Sequence, residues 1–158
     1  MNIDKQQAKR LYKESTWLRP ELVKEFGEGL FKEKNMTDIK TFADACKEMG
    51  HSEEEFNNSW SNMGLPEDTL AYEKLKIIAG AINDGWTPDW SNTNEAKWFP
   101  LFTDLSSGSG FSRSHSFIDF CVDTGAGSRL CYGTKEKSNY AATQFSEIYN
   151  KFLTISES

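Results

Sequence analysis

The sequence predicts an α+β fold in which helices come first and three strands follow as a group. Apolar residues recur at helical spacing through most of residues 4–83. After Trp86 the pattern changes to short β-type runs separated by Gly, Asn and Asp residues. Strands that are grouped, rather than alternating with helices, favour an antiparallel sheet. At 158 residues, the whole chain (1–158) is expected to form a single domain.

An N-terminal lobe of short helices is predicted over residues 1–65. The first helix is expected at residues 4–14. The second is expected at residues 20–26, because Pro20 suits the first turn of a helix.

Two capping patterns place the next two helices of this lobe. Thr41 and Asp44 have the spacing of a capping box, and Gly50 supplies a left-handed end for the helix they begin. Ser52 and Glu55 repeat the same spacing and predict another short helix after Gly50.

The second part of the chain, residues 66–158, is predicted to be a helix, an antiparallel sheet and a C-terminal helix. The central helix, over residues 66–83, has a stripe of apolar residues so broad that burial on more than one side is expected. The final helix begins at Thr134, and its apolar face consists of Ala141, Phe145, Ile148 and Phe152. We expect the central and final helices to pack on one face of the sheet.

Three strands are predicted to form a meander, at residues 98–103, 111–122 and 128–132. Pro100 suggests an edge or a bulge in the first strand. The apolar positions of the second strand change parity, which predicts a bulge near Phe117.

Charge and composition restrict the function classes. The net charge of -6 disfavours direct binding to nucleic acid but permits docking onto a basic protein surface. No apolar run is long enough for a membrane span, and the N-terminal residues lack the apolar region of a secretory signal. Three cysteines without close spacing fit a reducing compartment, so a cytoplasmic location is expected.

No set of residues predicts catalysis, a metal site or a cofactor. His51 and His115 are far apart and neither has a partner at ligand spacing. In a strand, the serines beside His115 would point to the opposite face, which excludes a direct serine–histidine pair. The cysteines are expected to be buried small apolar residues. We therefore expect a protein that is not an enzyme.

The loop rich in tryptophan, residues 86–98, is the candidate binding site. Its indoles could anchor a partner, stack on a base or sugar, or fold back over the sheet as core. The turn from Gly125 to Arg129 could form an anion-binding nest, although a plain turn between strands explains its glycines as well. The candidate partner-binding residues are Trp86, Asp89, Trp90, Glu95, Trp98 and Arg129.

Several distinctive motifs follow one another from about Thr41 to the C-terminal end. They are FADACKEMG, Gly85-Trp86, Pro88-Asp89-Trp90, Asn92, Gly110-Phe111-Ser112, the stretch 127–131, Gln144-Phe145, Tyr149 and Phe152-Leu153. Together they resemble a family of small proteins found in Bacteroidetes genomes and in their phages and prophages. Ala126 stands where the family pattern has Val, and SRSHS replaces a more aromatic stretch of that pattern.

The resemblance implies a phage-type accessory protein that acts by binding another protein. Because phage lineages carry inhibitors of host defence, the implied partner is a basic, nucleic-acid-binding effector such as a CRISPR nuclease of type VI. The implied role is then that of an anti-CRISPR inhibitor in the host cytoplasm. Two alternatives stay open: a ligand-binding protein or enzyme that uses the tryptophan loop with the Gly125–Arg129 turn, and a self-associating structural protein.

Overall fold

The computed structural model describes residues 3–32, 35–60, 63–104, 111–119 and 128–154. Within these ranges the chain is mostly helical, so the predicted α+β fold with a three-stranded meander is wrong. The helices are α1 (Lys5–Glu14), α2 (Arg19–Phe26), α3 (Phe42–Met49), α4 (Glu53–Trp60), α5 (Glu67–Asn83), α6 (Lys135–Gln144) and α7 (Ser146–Leu153). The strands are β1 (Lys97–Asp104) and β2 (Phe111–Asp119). Short 3-10 turns lie at Thr16–Leu18, Glu28–Phe31, Met36–Asp38 and Ser128–Leu130.

The capping signals predicted for the N-terminal helices are confirmed. Thr41 and Asp44 exchange hydrogen bonds at the start of α3. Gly50 ends that helix with a φ of 83°, where a residue without a Cβ avoids a steric clash. Ser52 and Glu55 exchange the same pair of bonds before α4. These contacts satisfy backbone N–H groups that a helix leaves unpaired. The start of α3 and the start of α4 are therefore determined by residues beside them in the sequence.

Helix α5 lies at the centre of the core, and its burial explains its broad apolar stripe. It packs against α3, which precedes it in the sequence, and against α6 and α7, which follow it. Its buried apolar residues are Ala71, Leu75, Ile78, Ala79, Ala81 and Ile82. The predicted face of the final helix also contributes, since Ala141 and Phe145 are buried in the same cluster.

The third predicted strand, at residues 128–132, does not form. Residues 128–130 make a 3-10 turn, and Thr134 already caps the next helix, so little extended chain remains between them. Tyr132 makes a single bridge to Trp98, with N–O distances of 2.9 and 2.8 Å. The neighbouring backbone groups, Cys131 C=O and Gly133 N–H, instead bond to the side chain of Asn83. What remains in the described residues is a two-stranded antiparallel ribbon of β1 and β2.

The bulge in this ribbon lies closer to its tip than Phe117, so the predicted position is wrong. Leu101 pairs with His115 while Phe102 pairs with Arg113, which leaves Ser114 as the extra residue. Residues 120–122, which were predicted to continue the second strand, lie outside the described residues.

The C-terminal helix is divided in two, contrary to the single helix predicted. Phe145 leaves the helical conformation, with φ of -114° and ψ of 29°, between α6 and α7. Tyr149, which is not part of the predicted apolar face, is buried in α7 and its hydroxyl is 2.9 Å from that of Tyr132. Helices α6 and α7 pack against the strands, whereas α5 packs mainly on other helices, so the predicted packing of α5 on a sheet is also wrong.

A buried ion-pair network joins three helices, and no sequence pattern predicted it. Lys9 of α1 is 4% exposed, and its ammonium contacts the carboxylates of Glu48 and Asp84. The distance from Lys9 Nζ to Asp84 Oδ1 is 2.6 Å. Glu48 belongs to α3 and Asp84 directly follows α5. The Lys9 side chain therefore links α1 to α3 and to the end of α5.

We predict that Lys9→Met lowers the free energy of unfolding by about 3–5 kcal/mol. The variant removes the buried cation shared by two largely buried carboxylates, and Asp84 keeps only the half-exposed Lys13, whose Nζ is 3.5 Å from Asp84 Oδ2. Urea denaturation measures the change. The matched control is Lys24→Met on the exposed side of α2, which is expected to change stability by less than about 0.5 kcal/mol. Equal effects of the two variants would contradict this role of Lys9.

The same network predicts a specific dependence of stability on pH. Burial acts to raise the pKa of Asp84, but the hydrogen bond and charge of Lys9 outweigh it and hold this pKa below its ordinary value of 3.8. Burial likewise acts to lower the pKa of Lys9, but the bonds and charges of Asp84 and Glu48 raise it above 10.5. The contribution of Asp84 is therefore lost as pH falls through its depressed pKa, and that of Lys9 as pH rises through its raised pKa.

Between about pH 7 and pH 9, the stability difference between wild type and Lys9→Met should be constant. It should shrink as the pH falls below this range, because burial raises the pKa of Asp84 once Lys9 no longer opposes it, and the variant recovers stability when that carboxylate is protonated. Urea denaturation of both proteins from about pH 5 to pH 9 tests the expectation, and a difference that does not decrease toward pH 5 would count against it.

Candidate functional site

The end of α5 places Trp86 at the surface. Asp84 and Gly85 have φ angles of 51° and 81°, and these two left-handed residues turn the chain sharply after the helix. The Trp86 N–H then donates to the carbonyl of Asn83 at 3.1 Å. Asn83 is itself buried and fixed, because its Nδ2 donates to Cys131 C=O at 2.9 Å. The backbone of Trp86 is therefore held in a fixed position.

The indole of Trp86 packs directly on the backbone of Gly133. A Cβ at residue 133 would lie 2.9 Å from Cδ2 of the indole, closer than real Cβ contacts. Gly133 N–H donates to Asn83 Oδ1 at 3.2 Å, so the residue cannot easily move away. Glycine is therefore required here for close approach, and Trp86 is left half-buried with part of its ring exposed.

Two acidic residues are built into the tryptophan loop. Asp89 Oδ1 accepts hydrogen bonds from the N–H and hydroxyl of Ser91 at 2.9 and 2.6 Å. These bonds hold the pKa of Asp89 below its ordinary value, so it stays charged at neutral pH. Glu95 Oε1 accepts from the Asp89 N–H at 2.7 Å, which closes the loop on itself.

Lys97 organises the same loop from inside. Its side chain is fully buried, and its ammonium donates to the carbonyls of Asn92 and Glu95 at 3.2 and 3.1 Å. The ammonium also lies 5.3 Å from the ring centroid of Trp90, a cation–π distance. Lys97 thus fixes Trp90 and the loop backbone together. Sequence reasoning missed it because a lysine beside a tryptophan in a strand carries no distinctive signal.

Trp86 lines three open grooves of about 750, 200 and 470 Å³. The largest, here called the α1 groove, lies between α1, the loop and the start of α6. Its charged lining residues are Arg10, Lys13, Glu14, Asp89, Glu95 and Lys137. The groove of about 470 Å³, here called the Arg129 groove, shares Trp86, Thr87 and Pro88 with the α1 groove and is also lined by Trp90 and Arg129.

The structure brings together five of the six residues proposed from sequence. Each of the five lines at least one groove beside Trp86; they are Trp86, Asp89, Trp90, Glu95 and Arg129. We call these five residues the Trp86 surface. Trp98 does not join them: it is packed against the core and bridges to Tyr132 through the backbone. The turn proposed from Gly125 is described only from residue 128 onward, and Gly125 itself lies outside the described residues.

The described residues contain few groups suited to metal binding or thiol chemistry. They contain no group of three or more His, Cys, Asp or Glu that could hold a metal ion. Cys46 and Cys131 are buried as predicted, and burial raises the pKa of Cys131 to about 11, so its thiol is a poor nucleophile at neutral pH. The side chain of His115 and all of Cys121 lie outside the described part of the chain.

Comparisons with protein-family models, with curated proteins and with solved structures find no match for this chain. Across the described ranges, no helix combines the length and apolarity needed to cross a membrane. Function must therefore be inferred from the side chains around Trp86.

We predict that Gly133→Ala displaces the indole of Trp86 and lowers stability by about 1–3 kcal/mol. The new methyl group would meet the centre of the ring rather than a flexible side-chain end. Urea denaturation and the indole N–H resonance of Trp86 measure the two effects. Gly29→Ala is the matched control, since a Cβ there meets nothing within 4 Å. An unshifted Trp86 resonance in Gly133→Ala would contradict the close packing.

Proposed function

We propose that the chain is a non-catalytic binding protein that docks a protein partner on the Trp86 surface. The observation that carries this proposal is the pair of partly exposed indoles, Trp86 and Trp90, held in place by Gly133 and Lys97. Rigid aromatic side chains at the centre of a surface are typical anchors of protein interfaces, because they bury much area at little cost in entropy.

The proposed partner is a basic effector of host defence, such as a type VI RNA-guided nuclease, which the chain would inhibit in the host cytoplasm. Two features support this choice beyond the family resemblance. The net charge of -6 favours encounter with a basic protein over direct contact with nucleic acid. Asp89 is charged and positioned beside the indole of Trp86, where it can meet a basic side chain.

Affinity purification with the tagged chain from a native-like host, followed by mass spectrometry, identifies the partner. The purified partner is then tested for binding and, if it is a nuclease, for inhibition of RNA cleavage. We predict that Trp86→Ser and Trp90→Ser each weaken binding by at least about tenfold, because each removes an interface anchor.

The matched control is Trp17→Ser. Trp17 is 77% exposed but belongs to the 3-10 turn after α1 and lines none of the three grooves. Its replacement should leave binding unchanged. Failure to retain any basic effector, or equal loss of binding in all three variants, would refute docking on the Trp86 surface.

Ligand binding by the tryptophan loop is the second candidate function. The Arg129 groove favours it, since Trp86, Trp90 and Arg129 line one concave surface of about 470 Å³. Sites for small molecules are commonly about 300–1,000 Å³. Self-association, the third expectation, stays a prediction that light scattering at micromolar concentration would test.

A further inference from the structure

The described lining of the Arg129 groove has a charge opposite to that of the whole chain. The protein has 24 acidic residues against 18 Lys and Arg. Yet two cations, Arg129 and Lys76, line this groove, and none of its described lining residues is a carboxylate. The groove therefore combines two indoles with positive charge.

Arg129 is the cation that can meet a ligand. It is exposed, and no hydrogen bond or ion pair engages it within the part of the chain that the structure describes. Lys76 is different: its Nζ lies 2.6 Å from Glu73 Oε1, which offsets its charge. A guanidinium presents several N–H donors in one plane and binds carboxylates and phosphates through two parallel bonds. An anionic group is therefore expected at Arg129.

The two indoles provide the second half of the site. Trp86 rests on Gly133 and Trp90 is contacted by the buried ammonium of Lys97, so both rings are supported by fixed groups. Pro88 lies in the same wall and adds a flat apolar surface. Aromatic side chains of this kind stack on planar rings, and a base stacked on an aromatic side chain contributes about 1–3 kcal/mol.

We infer that the Arg129 groove binds a free aromatic anion of the nucleotide class. Its base would stack against Trp86 or Trp90, and its phosphate would bond to Arg129. A long nucleic-acid strand is disfavoured, because a single exposed arginine in an acidic chain gives a strand little electrostatic attraction. This inference does not depend on the proposed protein partner, although both use the indoles of Trp86 and Trp90.

Isothermal titration calorimetry with adenosine 5′-monophosphate (AMP) tests the inference on the full chain. Adenosine, which lacks the charge, and ribose 5-phosphate, which lacks the ring, are the comparison ligands. AMP should bind at least about tenfold more tightly than either, since each retains one half of the contacts. AMP binding no stronger than adenosine binding would overturn the inference. A 5′-phosphorylated DNA strand that binds more tightly than AMP would also overturn it.

Two variants test separately the contribution of the Arg129 charge and the contribution of stacking on Trp90. Arg129→Gln should reduce AMP affinity to that of adenosine and leave adenosine binding unchanged. Trp90→Leu should weaken AMP and adenosine alike. Lys24→Gln on α2 is the control for a lost surface charge and should bind AMP as wild type does. AMP affinity that survives Arg129→Gln would refute the assigned role of Arg129.

The AMP-binding experiments and the protein-docking experiment can fail independently of each other. An effector that is retained while AMP fails to bind would overturn the nucleotide site and leave docking intact. AMP binding that requires Arg129, in a chain that retains no effector, would support the nucleotide site and remove the docking proposal.

Discussion

The C-terminal end of α5 is the point on which the rest of the structure depends. Lys9 reaches the carboxylate of Asp84 from α1, and Lys137 donates to the Asn83 carbonyl from α6 at 3.1 Å. Lys13 donates to the Asp84 carbonyl at 2.8 Å. Cations near a helix C-terminus are favourable because the last carbonyls are unpaired and carry partial negative charge. A buried pair of this kind gives little net stability over apolar packing, but it penalises every arrangement that leaves one charge alone.

The same helix end connects the core to the proposed binding surface. The side chain of Asn83 holds Gly133 through the backbone N–H, and Gly133 is the surface on which Trp86 rests. The Asn83 carbonyl also accepts the Trp86 N–H. A single buried residue, Asn83, therefore positions the start of the tryptophan loop through its backbone carbonyl and supports the first indole through its side chain. Such support reduces the conformational entropy that an aromatic side chain loses when it binds a partner.

Features determined by neighbouring residues were predictable from the sequence. The capping boxes at Thr41 and Ser52 and the left-handed end at Gly50 involve residues within four positions of one another, so their chemistry is visible in the sequence. The burial of α5 could also be inferred, because its apolar residues recur within a few positions of one another. Five of six candidate site residues were also found together, because the loop that carries most of them is short.

Features that depend on distant residues were missed. Asn83 is separated by 48 positions from the carbonyl it binds at Cys131, and this contact occupies a backbone group that a third strand would have used. Lys9 is a buried lysine whose partners, Glu48 and Asp84, lie 39 and 75 positions away. Lys97 has hydrogen-bond partners within five positions, but they are backbone carbonyls, which no residue pattern marks. Hydrogen exchange in Asn83→Ala tests the central claim most directly. We expect faster exchange in residues 86–95 and 131–133 than in wild type, with α1 and α2 unchanged. A uniform increase across the chain, or no change in the loop, would contradict the claim that this helix end positions the Trp86 surface.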